Sequence, residues 1–317
     1  MKGALWLAWR QQRAMILTGT ALLLICAGVV AYRRSEMMTL IDAYGWVPCK
    51  GWNGGCESLA TFEIMGDNST GIRILGTLGL ALPALIGVFW GAPLLGREME
   101  SGTFKVALTQ GVGPRAWFAA RFGLAALFTL IASTVVGALV AWWWAPISNT
   151  LDGPYWHDAP IYNATGPASV ACALFALAAG TLAGLTIRRV IPAMGVVLAA
   201  VGTTMVFARF FRSGWVDPQT RITPGMTPKQ PVGSAWSTGE FGYLTPDGRE
   251  HSIRNVCQTS GEELRQCMAE HDFVARYHKV YPSGDFWTFQ WIETALYLGF
   301  AAVLVTLTLL VLRHRTA

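Results

Sequence analysis

Six apolar runs, at residues 14–31, 74–95, 122–144, 168–187, 190–208 and 292–312, decide what this chain can fold into. About 20 consecutive apolar residues are what an α-helix needs to cross the hydrocarbon core of a bilayer. In lipid every backbone polar group must be satisfied internally, and for runs of this length that means helices. The expected class is an all-α polytopic membrane protein with six transmembrane helices. Composition agrees: 53% of the 317 residues are hydrophobic and 14% are charged, against about 25% charged in an average soluble domain. The net charge of +5 is modest and spread over loops. It points to topology signals and anionic lipid head groups and away from nucleic acid.

Residues 1–13 mix Leu5, Trp6 and Trp9 with Lys2, Arg10 and Arg13, the pattern of an interfacial helix. Basic residues before an apolar core also open signal peptides, but no Ala-x-Ala site follows, so the first run reads as a retained span. Six spans put both termini on one side. Lys2, Arg10, Arg13, Arg97, Lys105, Arg115, Arg121, Arg188, Arg189, Arg313 and Arg315 fall on that side, against Arg33, Arg34, Lys50 and Arg73 in the opposite short loops. The positive-inside rule then makes both termini cytoplasmic in a multi-pass plasma-membrane protein.

The chain accordingly divides into a cytoplasmic interfacial helix (1–13), five spans with a charged loop at 96–121 (14–208), an extracellular segment (209–290) and a last span (291–317). Residues 32–73 read as a polar loop. In the segment 209–290, helical spacing is expected over 262–277, with loop and short strands elsewhere. Cys49 with Cys56, and Cys257 with Cys267, are close pairs in the two outward segments, and each is a candidate local disulfide there. Cys26 and Cys172 lie inside apolar runs as small hydrophobes.

Catalytic signatures are missing. There is no Gly-Lys dipeptide and so no phosphate-cradling loop, and no His-Glu-x-x-His, Gly-x-Ser-x-Gly or Gly-x-Gly-x-x-Gly. Glycosylation sequons at Asn68 and Asn163 are weak patterns. His271, Asp272 and His278 lie close in sequence and offer metal-ligand side chains, with solvated loop residues the preferred reading and no metal assigned. Glu293, near the outer end of the last span, is a functional candidate or a structural partner of Arg209 or Arg212. Gly87 with Gly91, and Gly180 with Gly184, have the spacing of close helix contacts, within a subunit or between subunits.

Residues 91–121 form a charged segment between two spans. Ser101 or Thr103 would cap a short helix over 104–110, ended by Gly111, Gly113 and Pro114. A polar helix held flat at a membrane face suits docking of a soluble partner. An ordinary loop is the alternative.

Within it, Glu98-Met99-Glu100-Ser101-Gly102-Thr103 followed by Pro114-Arg115-Ala116-Trp117 resembles the permease subunits of ABC exporters of the type-2 permease superfamily, the type V exporter fold. The start, from Trp6 to Arg13, and the entry to the last span, from Phe286 to Thr294, are similar to actinobacterial members. The resemblance implies a separate ATPase subunit that holds ATP and Mg, and a second permease chain forming a homodimer. It makes residues 97–110 the coupling helix, with Arg97, Glu98, Glu100 and Thr103 as ATPase contacts and Arg188 and Arg189 as a smaller second contact. One departure stands out: residues 210–289 far exceed the short re-entrant helices of that fold.

Spans with few charges favour a hydrophobic or amphiphilic cargo, such as a drug in multidrug efflux, a lipid or a peptide. Trp142, Trp143, Trp287, Trp291 and Glu293 are candidates for its path, although membrane anchoring accounts equally for the tryptophans. The competing reading is a membrane-anchored sensor or enzyme acting through the extracellular loop.

Overall fold

The computed structural model describes residues 2–47, 59–102, 113–148, 150, 153–224, 235–253, 256–257 and 261–316. Six of its helices are long and apolar enough to cross a membrane. Helix α1 is Lys2–Tyr44. Helix α2 starts as Leu59–Ile86, passes through a π turn at Gly87–Gly91 and ends as Ala92–Ser101. Helix α3 is Pro114–Trp144, the short α4 is Ala159–Tyr162, α5 is Gly166–Ile187 and α6 is Val190–Phe211. After a small sheet and α7 (Gly261–Glu270), α8 (Asp285–Thr316) makes the last crossing.

Alternating crossings gather Lys2, Ser101, Pro114, the α5–α6 turn and Thr316 at one end of the bundle, and Tyr44, Leu59, Trp144, α4, Phe211 and Asp285 at the opposite end.

Two stretches in the first quarter of the chain differ from what is expected. The amphipathic stretch 1–13 is not set apart: from Lys2 onward it forms the first turns of the helix that spans. Nor is 32–73 mainly a loop, because α1 runs on to Tyr44 and α2 begins at Leu59. At 1.5 Å per residue the 43 residues of α1 reach about 65 Å, twice the hydrocarbon thickness of about 30 Å. The extension holds because its polar sequence still carries an apolar face. Met37, Ile64, Met65 and Ile72 are buried against Trp143 and Ile147 of the α3 end. The candidate pair Cys49 and Cys56 lies outside the described residues.

Helix α5 is the axis of the bundle: 67% of its apolar window is buried, against 11% for α1 and 17% for α6. Small residues let its neighbours come close. Gly87, Gly91 and Gly96 of α2 lie on Gly180 and Gly184 of α5, so both glycine pairs serve a contact within the subunit. Around this seam pack Val88, Ala92, Phe175, Ala176, Val197 and Tyr297. Pro83 inside α2 has no N–H to donate, and the π turn follows within one turn of it.

Between α6 and α8 the chain adds a four-stranded antiparallel sheet in the order β1-β4-β2-β3, with β1 Gln219–Pro224, β2 Trp236–Leu244, β3 Glu250–Ser252 and β4 Ala275–Tyr281. The helix expected over 262–277 stops at Glu270. Asp272 adopts the left-handed conformation (φ 53°), and the Phe273 N–H reaches back to the Met268 carbonyl at 3.1 Å while that of Asp272 bonds Ala269 at 3.3 Å. This is a Schellman cap, and it frees 275–281 to pair with β1 and β2.

Cys257 and Cys267 form a disulfide beside Tyr243, Met268 and Phe273. Closing a loop with a sequence separation of 10 is worth about 3 kcal/mol in the chain-entropy model. Replacing both cysteines by serine is therefore expected to raise amide exchange in the sheet by about a hundredfold or more, with the spans unchanged. The same exchange rates in the two proteins would contradict this.

Candidate functional site at the two ends of the bundle

At the end carrying the termini, a carboxylate closes α2. Glu98 sits in the last turn, before Gly102 turns left-handed (φ 72°) and ends the helix. Its Oε1 lies 2.6 Å from Nη1 of Arg121 on α3, with both side chains mostly buried. The Arg121 guanidinium also faces the Trp117 ring, 4.8 Å from its centroid. The Arg121 carbonyl accepts from Nε2 of Gln12 on α1 at 3.1 Å, and Gln12 Oε1 accepts from Trp90 Nε1 at 3.0 Å. One polar chain thus fastens α1, α2 and α3 where they leave the apolar core.

Glu100 does something different. Its Oε2 accepts from the Val190 N–H, at the first turn of α6, at 3.1 Å. Backbone N–H groups at a helix start are unpaired and partly positive, so a carboxylate is favoured there. The α5–α6 turn is very tight: Arg188 is left-handed (φ 59°) and its N–H closes on the Gly184 carbonyl at 3.3 Å. Arg97, Arg188 and Arg189 are exposed around this junction.

The structure therefore brings Glu100 to the Arg188–Arg189 turn and commits Glu98 to Arg121. Thr103 and the helix expected over 104–110 lie outside the described residues. Gln12 and Trp90 were not singled out from the sequence. Gln12 stands beside Gln11 in a basic stretch, and nothing local marks it as the one that turns inward.

The opposite end carries a second knot. Arg212, just past α6, places Nε 2.6 Å from Glu293 Oε1, and the two side chains are 7% and 2% exposed. Nη2 reaches Asn163 Oδ1 at 3.3 Å, and the guanidinium carbon lies 3.6 Å from the Tyr162 ring centroid. Of the two partners open to Glu293, Arg212 is the one used. One turn earlier, Gln290 donates to the Tyr162 carbonyl and accepts from the Ala168 N–H, both at 3.0 Å.

Towards the bundle centre lies a small cavity lined by Pro83, Asn163, Ser169, Cys172, Glu293 and Tyr297, with room for about one water. On its other side an aromatic cluster of Trp156, Tyr162, Tyr281 and Phe289, with Trp236 and Phe286 against it, joins the sheet to the bundle.

The tryptophan candidates separate. Trp143 is buried and donates to Asn68 Oδ1 at 3.2 Å. Trp142 is half exposed, stacked 4.4 Å from Arg34, and Trp287 and Trp291 share one exposed face at the start of α8. Both sequon asparagines are engaged in packing: Asn68 is buried, and Asn163 bonds the Ala159 carbonyl as well as Arg212. His271 stacks on Phe273 and His278 on Phe241, and with Asp272 they do not converge on a common point. Among the described residues, the ligand-type cluster of Cys257, Cys267 and His271 has its two sulfurs joined in the disulfide.

Six apolar helices locked by a buried ion pair at each end define a multi-pass membrane protein, and the residues described above lie at its two ends. The chain belongs to the ABC-2 membrane transporter related family, whose model matches residues 20–212, more than half of its length. It therefore has a permease's role in a transporter. No curated protein and no solved structure shows significant similarity to it.

Proposed function

We propose that the chain is the membrane-spanning subunit of an ATP-driven exporter, moving a hydrophobic or amphiphilic substrate out of the cell with a separate ATPase subunit. The observation that carries this reading is the bond from the Val190 N–H to Glu100. It ties the last turn of α2 to the α5–α6 turn, so a partner docked there acts on α2, α5 and α6 together. ATP favours one arrangement of the ATPase pair, and docking transmits that preference to the spans as a difference in binding free energy.

ATP and Mg belong to the partner. Two permease chains, as a homodimer, and two ATPase chains complete the assembly. The apolar faces of α1 and α6, including Leu24, Val196 and Phe207, are exposed in the single chain and face lipid or the second copy. The end with the termini faces the cytoplasm, following its excess of Lys and Arg, and the Cys257–Cys267 disulfide faces the oxidising exterior.

The test is a mild-detergent purification of the tagged chain, with mass spectrometry and an ATPase assay. A stoichiometric P-loop partner with vanadate-sensitive turnover is expected. The double substitution Arg188→Glu with Arg189→Glu is expected to lower the recovered ATPase at least tenfold. Both side chains are exposed, so the stability of the chain itself should move by only about 1 kcal/mol, through the charge at the end of α5. A chain that purifies alone and inert under several gentle conditions counts against the exporter, and undiminished ATPase recovery with the double variant counts against this docking surface.

A further inference from the structure

The Arg212 guanidinium sits in a cage that is itself a cation-binding site. A carboxylate (Glu293), an amide oxygen (Asn163) and an aromatic face (Tyr162) converge on it, and all three kinds of group attract cations. Such a buried pair is weak evidence for stability, since well-packed apolar residues of similar volume often serve as well or better. An ionisable group inside a membrane span is a functional candidate by default.

The cage has an unequal construction. Its walls belong to the bundle: Tyr162 and Asn163 come from α4 and its end, Glu293 from α8, with Ser169 and Cys172 of α5 beyond them. The cation comes from elsewhere, the turn Arg212–Gly214 that leads from α6 into the sheet. Helix α6 has only 17% of its apolar window buried. An element with so few buried contacts moves at lower cost than the enclosed α5.

We propose that the cage recognises a cationic amphiphile as cargo and that Arg212 occupies it as a built-in surrogate in this structure. When α6 and the sheet draw away, Arg212 leaves with them, and Glu293 and Asn163 stay behind with a net negative charge. A guanidinium or ammonium head group restores the charge balance there, and its apolar tail lies against Phe286, Phe289 and Trp156 of the adjoining cluster. A neutral or anionic amphiphile leaves Glu293 unpaired in a low-dielectric site and is rejected. The word cargo rests on the exporter reading; the site does not.

The probe pair is octylguanidine and its neutral counterpart octylurea, titrated by tryptophan fluorescence and calorimetry into the full chain in phosphatidylcholine nanodiscs. Arg212→Met is expected to bind octylguanidine at least tenfold more tightly than the unaltered chain, with octylurea unchanged. Arg212→Met with Glu293→Gln, a neutral pair that keeps the packing, is expected to lose the head-group preference.

Should the single variant fail to fold, the unaltered chain is compared with the double variant, and a preference of at least tenfold is expected only in the former. Equal binding of the two probes to a folded Arg212→Met protein overturns the proposal, as does an undiminished preference in the double variant. If that happens in a chain that still brings down an active ATPase, the cation site falls and the exporter stands. A chain that keeps the preference but recruits no ATPase gives the reverse.

Discussion

Gly180→Leu is expected to abolish assembly of the membrane bundle, whereas Gly195→Leu leaves it intact. A Cβ at Gly180 runs into the Gly87 carbonyl oxygen and lies 2.7 Å from both the Ala92 nitrogen and the Gly91 Cα. All three are backbone atoms of α2, so no rotamer change relieves the clash, and the two helices must separate. Separation is costly here because helices in lipid gain little from hydrophobic exclusion and depend on close van der Waals contact. The seam also lies on α5, against which α2, α3, α6 and α8 all pack. The cost should exceed the about 1–3 kcal/mol usual for an overpacked core. At Gly195, on the exposed side of α6, a Cβ would meet nothing within 4 Å. The fraction of monodisperse protein recovered in detergent measures both. Equal recovery of the two variants would mean that the α2–α5 seam does not organise the fold.

That seam was partly legible in the sequence, since the spacing of Gly87, Gly91, Gly180 and Gly184 marked close packing without saying which helices meet. All six apolar runs became crossing helices, because length and hydropathy are local properties. What failed to show was of two kinds. The helical extensions at 32–44 and 59–73 are polar on average, and a few apolar residues, Met37, Ile64, Met65 and Ile72, carry the buried face. Pairings across long separations left no local trace at all: Gln12 meets Arg121 and Trp90 at separations of 109 and 78 residues. Arg209 and Arg212 lie three apart on nearly one face, so spacing did not choose between them. Arg212 is selected because it lies beyond the last residue of α6, in the turn that bends towards Tyr162 and Glu293.

Arg121→Met should cost about 3–5 kcal/mol of stability, the usual loss when one partner of a buried pair is removed and the other charge is left uncompensated. Glu98→Gln added to it should recover most of that loss, because the neutral pair no longer carries a buried charge. A double-mutant cycle on thermal unfolding in nanodiscs reads both, and additive losses would show that the 2.6 Å pair contributes no coupling.

The orientation of the pair carries the further argument. Glu98 occupies the last turn of α2, where the carbonyl end of the helix dipole opposes a negative charge. Stability alone would favour the reverse, so Glu98→Arg with Arg121→Glu is expected to unfold no more easily than the native chain. The polarity would then have to be kept for a role other than stability, such as that expected of the segment which the sequence places between α2 and α3, residues 103–112. A swapped protein that is stable but no longer couples ATP hydrolysis to transport would place that segment at the ATPase. A swapped protein with normal coupled turnover would leave the pair a purely structural clasp and move the docking polarity to Arg97, Arg188 and Arg189.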